Sequence, residues 1–307
     1  MSVVERRKGD VGGDPSLTRI WVMAARPRTL PAAVAPVLVG TALAATDGTF
    51  KLPTFVAALI GAVLIQVGTN LSNDYSDARR GADTDDRLGP VRVTAGGLVP
   101  PRQVLIATYV AFGVAVLAGT YLIATAGWEL LLVGAASILA GVLYTGGPRP
   151  YGYEGLGEVF VFLFFGVVAV TGSYFAQTEV LEWEALVLAV PVGLLASAIL
   201  VVNNVRDLET DRRAGKRTLA VRLGRERARA LFVAMVAGAF ATAPLPWLLG
   251  PLSPWLLLSW LALPLAVPLV GIVRTRTDGA SLNAALAGTG RLQLAFCVLL
   301  SAGLLAS

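Results

Sequence analysis

Leu59-Ile60-Gly61-Ala62-Val63-Leu64-Ile65-Gln66-Val67-Gly68-Thr69-Asn70-Leu71-Ser72-Asn73-Asp74-Tyr75-Ser76-Asp77 decides the reading of this chain. The apolar run it belongs to opens near residue 53 and is long enough to cross a bilayer, which takes about 20 residues. It ends in oxygen-bearing side chains. Asn70, Asn73, Asp74 and Asp77 follow the spacing i, i+3, i+4, i+7, so they share one helix face. Carboxylates at the end of a membrane helix must be solvated, paired or metal-bound. Even insertion scales put Asp at about 2.5–3.5 kcal/mol at a helix centre.

The rest of the chain has the same character. Of 307 residues, 55% are hydrophobic and 15% are charged, with a mean hydropathy of +0.70. A soluble chain carries roughly 25% charged residues. The composition excludes a soluble enzyme, a disordered chain and a fibre, and leaves an all-α integral membrane protein. About nine spans are expected, near 28–46, 53–76, 103–124, 128–146, 157–177, 184–205, 228–249, 254–273 and 287–306. They form a single transmembrane domain over residues 21–307, preceded by a cytoplasmic tail over 1–20. Pro31 and Pro36 make the first span irregular, and Pro264 and Pro268 interrupt the eighth.

Charge placement orients the bundle. Twenty-four of the 25 Lys and Arg residues fall on alternate loops, from Arg6 at the N-terminus to Arg291 before the last span. Lys51 stands alone on the other side, with Asp47, Glu129, Glu179, Glu182 and Glu184. The positive-inside rule then puts the N-terminus in the cytoplasm and the C-terminus outside. This accounts for the net charge of +5 without a nucleic-acid partner.

Histidine is absent and Cys297 is the single cysteine. Histidine catalysis, thiolate zinc clusters and an intrachain disulfide are excluded. A metal would take oxygen ligands, which favours Mg²⁺, Mn²⁺ or Ca²⁺. A second oxygen-rich stretch, Asn203-Asn204-Val205-Arg206-Asp207-Leu208-Glu209-Thr210-Asp211, closes the sixth span at the same membrane face. Its Asn204, Asp207 and Asp211 share a face at i, i+3, i+7. Two acidic faces bridged by Mg²⁺, expected as two ions, make an electropositive site for a diphosphate. Mg²⁺ prefers a few carboxylates plus substrate phosphates over a protein cage. Arg87 and Arg92 follow the first stretch, and Lys216 and Arg217 follow the second. The chemistry such a site suits is ionisation of an allylic diphosphate.

Several further stretches complete the picture. They include Arg26-Pro27-Arg28-Thr29-Leu30-Pro31, Arg87-Leu88-Gly89-Pro90-Val91-Arg92, Tyr144-Thr145-Gly146-Gly147-Pro148-Arg149-Pro150-Tyr151-Gly152-Tyr153 and Gly155-Leu156-Gly157-Glu158. Together with the two Asp motifs they resemble the UbiA superfamily of intramembrane aromatic prenyltransferases, over roughly residues 21–225. Within it they look most like the branch whose acceptor is 1,4-dihydroxy-2-naphthoate. The resemblance implies a UbiA-type bundle in a bacterial inner membrane. Its substrates would be polyprenyl diphosphate and the naphthoate, joined with loss of CO₂ to give demethylmenaquinol for menaquinone synthesis. It assigns Mg²⁺ to Asn73, Asp77, Asp207 and Asp211, with Asp74 assisting. It assigns diphosphate contacts to Arg26, Arg87, Arg92, Lys216 and Arg217, and places Tyr144 beside the allylic cation. Asn70, Asp83 and Asn204 are further motif positions. The family's third Asp falls on Gly81 here, with Asp83 offset by two.

Other readings stand beside this one: a different aromatic acceptor such as 4-hydroxybenzoate, a cation-coupled transporter, or a non-catalytic relative. Against the transporter, the Asp residues gather at one membrane face, whereas coupling sites lie near the midplane.

Overall fold

An apolar segment in lipid must satisfy its own backbone, and a helix does so within one segment. The computed structural model describes residues 16–82 and 88–307, and no strand occurs among them. Asp83 and Arg87, expected at the site, lie outside the described residues. The helices are α1 (Leu17–Ala25), α2 (Pro31–Thr46), α3 (Leu52–Arg79), α4 (Pro101–Ala126), α5 (Glu129–Leu143) and α6 (Gly157–Thr178). They continue with α7 (Trp183–Arg213), the short α8 (Leu219–Leu223), α9 (Arg225–Leu248), α10 (Pro254–Thr275) and α11 (Gly279–Leu305).

Among the described residues nine helices fall near the nine expected spans, but they are not equals. Seven are long and apolar enough to cross a bilayer. α1 and α2 together make an eighth candidate, bent by 53°. The bend has a local cause. Arg26 adopts a left-handed backbone (φ 54°), and Pro27 and Pro31 then reset the helix start. α5 has 15 residues, about 22 Å of helix, short of the roughly 30 Å hydrocarbon thickness.

Both motif helices outrun their expected spans. α3 continues to Arg79 and α7 to Arg213, so all of Asn203–Asp211 lies inside one helix. Gly81 (φ 64°) and Gly215 (φ 75°) then turn the chain just past them, a conformation that suits glycine. This explains why no Asp occupies position 81.

α7 is the central post. Its inner residues, among them Leu188, Val192, Leu195, Val202 and Val205, are fully buried. They join α2, α6, α9, α10 and α11 in one core, where Phe240 and Phe296 meet edge to face at 5.2 Å. α3, α4 and α5 contribute nothing to that core. They stand across from it and leave a space between. α6 lines this space with Phe160, Phe164, Val168, Gly172 and Ala176, every fourth residue over four turns. In a plain α-helix that series drifts by about 40° per step. The wider turns of the π segment Phe162–Val168 offset the drift and keep one face turned inward.

Candidate active site

The first motif divides into two jobs. Asn70, one helical turn deeper than Asp74, holds the bend. Its Nδ2 donates to the Ala25 carbonyl (2.9 Å) and to Thr29 Oγ1 (3.1 Å), and its own carbonyl accepts from the Arg26 guanidinium (3.2 Å). Asp74, 1% exposed, holds the following loop. Its two oxygens accept from the backbone N–H groups of Val93 (3.1 Å) and Thr94 (2.9 Å). Both were expected as ligands or motif positions, and both act here as anchors. Asn73 and Asp77 face the space between the helix groups. Asn73 Oδ1 accepts from Thr145 (2.9 Å).

Asp77 is where four segments converge. Tyr153, from the loop between α5 and α6, donates to its Oδ1 at 2.5 Å. Arg92, from the loop after α3, stands 3.7 Å from its Oδ2. Lys216, from the loop after α7, stands 3.6 Å from its Oδ1, with the ammonium 4.7 Å above the Tyr153 ring. The turn past α7 aims Lys216 there, since its N–H closes onto the Asp211 carbonyl (2.9 Å). Arg217 donates its backbone N–H to Tyr153 (2.9 Å), while its side chain stays exposed.

The second motif is arranged differently from its expected face. Asn204 turns away and donates to the buried Glu158 (2.8 Å). Asn203 faces the space instead. Arg206 grips Asp207 with two hydrogen bonds (2.8 and 2.6 Å) and also donates to Asn203 (2.8 Å) and to Asn283 of α11 (2.7 Å). Arg206 and Asp207 are 3% and 4% exposed, so this is a buried, fully engaged pair. Asp211, one turn on, is half-buried. Asp207 and Asp211 stand outside the wall of the cavity described next.

That cavity is about 700 Å³, within the range of ligand sites. Its mouth is polar, with Asn73, Asp77, Arg92, Asn203, Arg26 and Arg206. Inward it becomes apolar. Four aromatic rings mark the change: Tyr144 meets Tyr151 edge-on at 5.4 Å, Tyr151 stacks on Phe160 at 4.0 Å, and Phe164 follows at 6.2 Å. Tyr151 donates to the Ala140 carbonyl (2.9 Å), and burial pushes its phenol above the usual value, so it remains a neutral donor.

No cluster of three acidic, histidine or cysteine side chains that could cage a metal occurs among the described residues. The donors are divided, with Asn73 and Asp77 on α3 and Asp207 and Asp211 on α7. That division fits Mg²⁺ bound by one or two carboxylates with phosphate oxygens completing its shell. Tyr153, Glu158, Arg206 and Asn283 were not singled out from sequence. Arg206 left a signal, being a cation inside an apolar helix at i+3 from Asn203 and beside Asp207.

A membrane helix bundle with divided oxygen donors, a cationic mouth and an apolar bore defines an intramembrane enzyme acting on a polyanionic head with a lipid tail. The comparisons give the family. The UbiA prenyltransferase family profile matches residues 33–303, and the chain belongs to that family. It is 44% identical to the 1,4-dihydroxy-2-naphthoate octaprenyltransferase of Mycobacterium tuberculosis, over 92% of this chain and 96% of that protein. It is 39% identical to the Escherichia coli protein of the same name, over 87% and 89%. Its fold matches that of a UbiA homologue from Archaeoglobus fulgidus bound to DMAPP and Mg²⁺. That match has a TM-score of 0.67 at 17% identity, covering 93% of this chain and 99% of that one. Family membership sets the transporter reading aside.

Proposed function

We propose that the chain transfers a polyprenyl group from polyprenyl diphosphate to 1,4-dihydroxy-2-naphthoate. CO₂ and diphosphate leave, and the product is demethylmenaquinol in menaquinone biosynthesis. The observation that carries the site assignment is the junction at Asp77. Two cations and a phenol from three separate loops meet one carboxylate at the mouth of an apolar cavity. The names of the relatives support the acceptor.

The diphosphate docks at the mouth, where Arg26, Arg92 and Lys216 supply positive charge. Arg217 adds to the field from outside, and the matched role of Arg87 follows from the sequence motif alone. Asn73, Asp77, Asp207 and Asp211 would hold Mg²⁺, in two ions. The metal, when bound, neutralises the charge that builds on the departing diphosphate. Arg206 fixes Asp207 for that task. The prenyl chain lies along the apolar bore, away from water. When its C–O bond opens, the allylic carbon faces the aromatic rings led by Tyr144. The ring carbon of the acceptor attacks it there. The bilayer is the source of the donor and the destination of the product. We place the enzyme in a bacterial inner membrane, with the 1–20 tail and both motif loops on the cytoplasmic face.

Replacing Asp77 or Asp207 by Ala tests the site. Each variant should insert normally and lose about 10²-fold or more of its turnover in membranes supplied with labelled donor, the naphthoate and Mg²⁺. Full turnover in a well-folded double variant would sink the assignment. Parallel assays with 4-hydroxybenzoate test the acceptor.

A further inference from the structure

Far from the motifs, the bore is bounded by four glycines on four helices. They are Gly61 of α3, Gly119 of α4, Gly134 of α5 and Gly172 of α6, and all line the cavity. The antiparallel order of these helices puts them at one level. Each lies five to nine residues, about 8–14 Å of helix, from the helix end opposite the motifs. Twelve residues, about 18 Å, separate Gly61 from Asn73 on the same helix.

Glycine inside a helix weakens it relative to alanine, so it calls for a reason. The common reason is a neighbour too close to admit a side chain. Gly40 shows it: a Cβ there would stand 2.9 Å from Ser173 Cβ. The four glycines of the bore have no such neighbour. A Cβ at Gly61, Gly119 or Gly134 would meet nothing within 4 Å, and one at Gly172 only Val133 Cγ1 at 3.8 Å. What their missing side chains leave free is the cavity itself. An independent feature marks this cavity as a ligand's space. Gln66, one turn deeper than Asn70, also lines it, and is 7% exposed with no hydrogen-bond partner on its Oε1. Its Nε2 is committed to Thr29 Oγ1 (3.1 Å), whose single proton goes to the Arg26 carbonyl, so the amide oxygen is left for another donor.

We propose that this glycine tier sets the length of prenyl chain the enzyme accepts. The inference rests on the function proposed above, since it takes the bore to hold the donor's tail. Side chains at the tier would project into the path of the far isoprene units and leave the near ones untouched.

The test compares Gly119→Leu and Gly172→Leu with the unaltered protein, using geranyl, geranylgeranyl and octaprenyl diphosphate as donors. The open surroundings predict folded variants that keep geranyl turnover within about twofold, while kcat/KM for the octaprenyl donor falls at least tenfold, about 1.4 kcal/mol. A length-dependent loss supports the tier. An equal loss on every donor overturns it, and so does unchanged use of the octaprenyl donor, which would mean that the tail leaves the bore before reaching these glycines. Affinity for the three donors, measured without acceptor, gives the same comparison. A failure on the naphthoate would therefore count against the proposed acceptor while the length dependence is still read.

Discussion

At the scale of single residues, neighbours in the first motif do different work. Asp74 and Asp77 are three apart and equally buried, yet one binds backbone and the other meets charged side chains. Asp74 accepts two amides of the loop that carries Arg92. Asp74→Ala leaves both donors without a partner, each at about 1–3 kcal/mol. The variant should lose stability and also raise KM for the diphosphate, because Arg92 loses its footing. Asp74→Asn keeps one acceptor oxygen and should recover part of both effects, as thermal unfolding and donor titration would show. Equal behaviour of the two variants would argue against the anchor. Arg206 is the second case. Removing one partner of a buried ion pair costs about 3–5 kcal/mol, because the other charge stays buried alone. Arg206→Leu should therefore destabilise the fold more than Asp211→Ala does, although Asp211 was expected as a ligand and Arg206 was not singled out from sequence. Sequence spacing identified neither these partners nor the inward face of the second motif. Asn204 and Asn203 differ by one position, about 100° of helix, and only packing against Glu158 decides which one turns inward.

At the scale of elements, apolar length found the helices and their order. What it missed lies at their ends and in their breaks. The motifs belong to helices that run on past the apolar core, because polar helix formers can continue a helix into water. The bend after α1 depends on the left-handed Arg26 and on Asn70 reaching back to it from α3, neither of which a hydropathy window senses. The last helix was expected from residue 287 and begins at Gly279, because Asp278 caps it, accepting from the Ser281 N–H at 2.8 Å. That bond holds the Asp278 carboxyl below its usual range. The cap's contribution is therefore present at neutral pH and fades as pH falls through the depressed value. Asp278→Ala should lower the thermal midpoint at pH 7, and the difference from the parent protein should shrink in acid. A difference independent of pH would mean that the carboxylate is not the group that matters.

At the scale of the whole molecule, the two halves of the bundle have separate duties. The core around α7 is dense and holds the second motif. α3, α4 and α5 stand off from it, which creates the cavity and leaves α5 as a short span. Topology hinges on that helix. If α5 crosses the membrane, the crossings are odd in number and the termini lie on opposite sides. The site requires the crossing, because α4 carries the chain to the face opposite the motifs and Tyr153, just past α5, is back at Asp77 on the motif face. Loop charge favours the crossing: Glu129 opens α5 on the acidic side, and Arg149 follows it on the basic side. A helix of about 22 Å can still span where the bilayer thins around it. The single Cys297 is fully buried, so the protein offers a clean background for labelling. Ser16 and Ser307 are exposed near the two ends. In intact cells an impermeant maleimide should label Ser307→Cys and leave Ser16→Cys untouched until the cells are broken. Labelling of both or of neither would show an even number of crossings and overturn this topology, and the reverse pattern would invert the orientation and place both motif loops on the outer face.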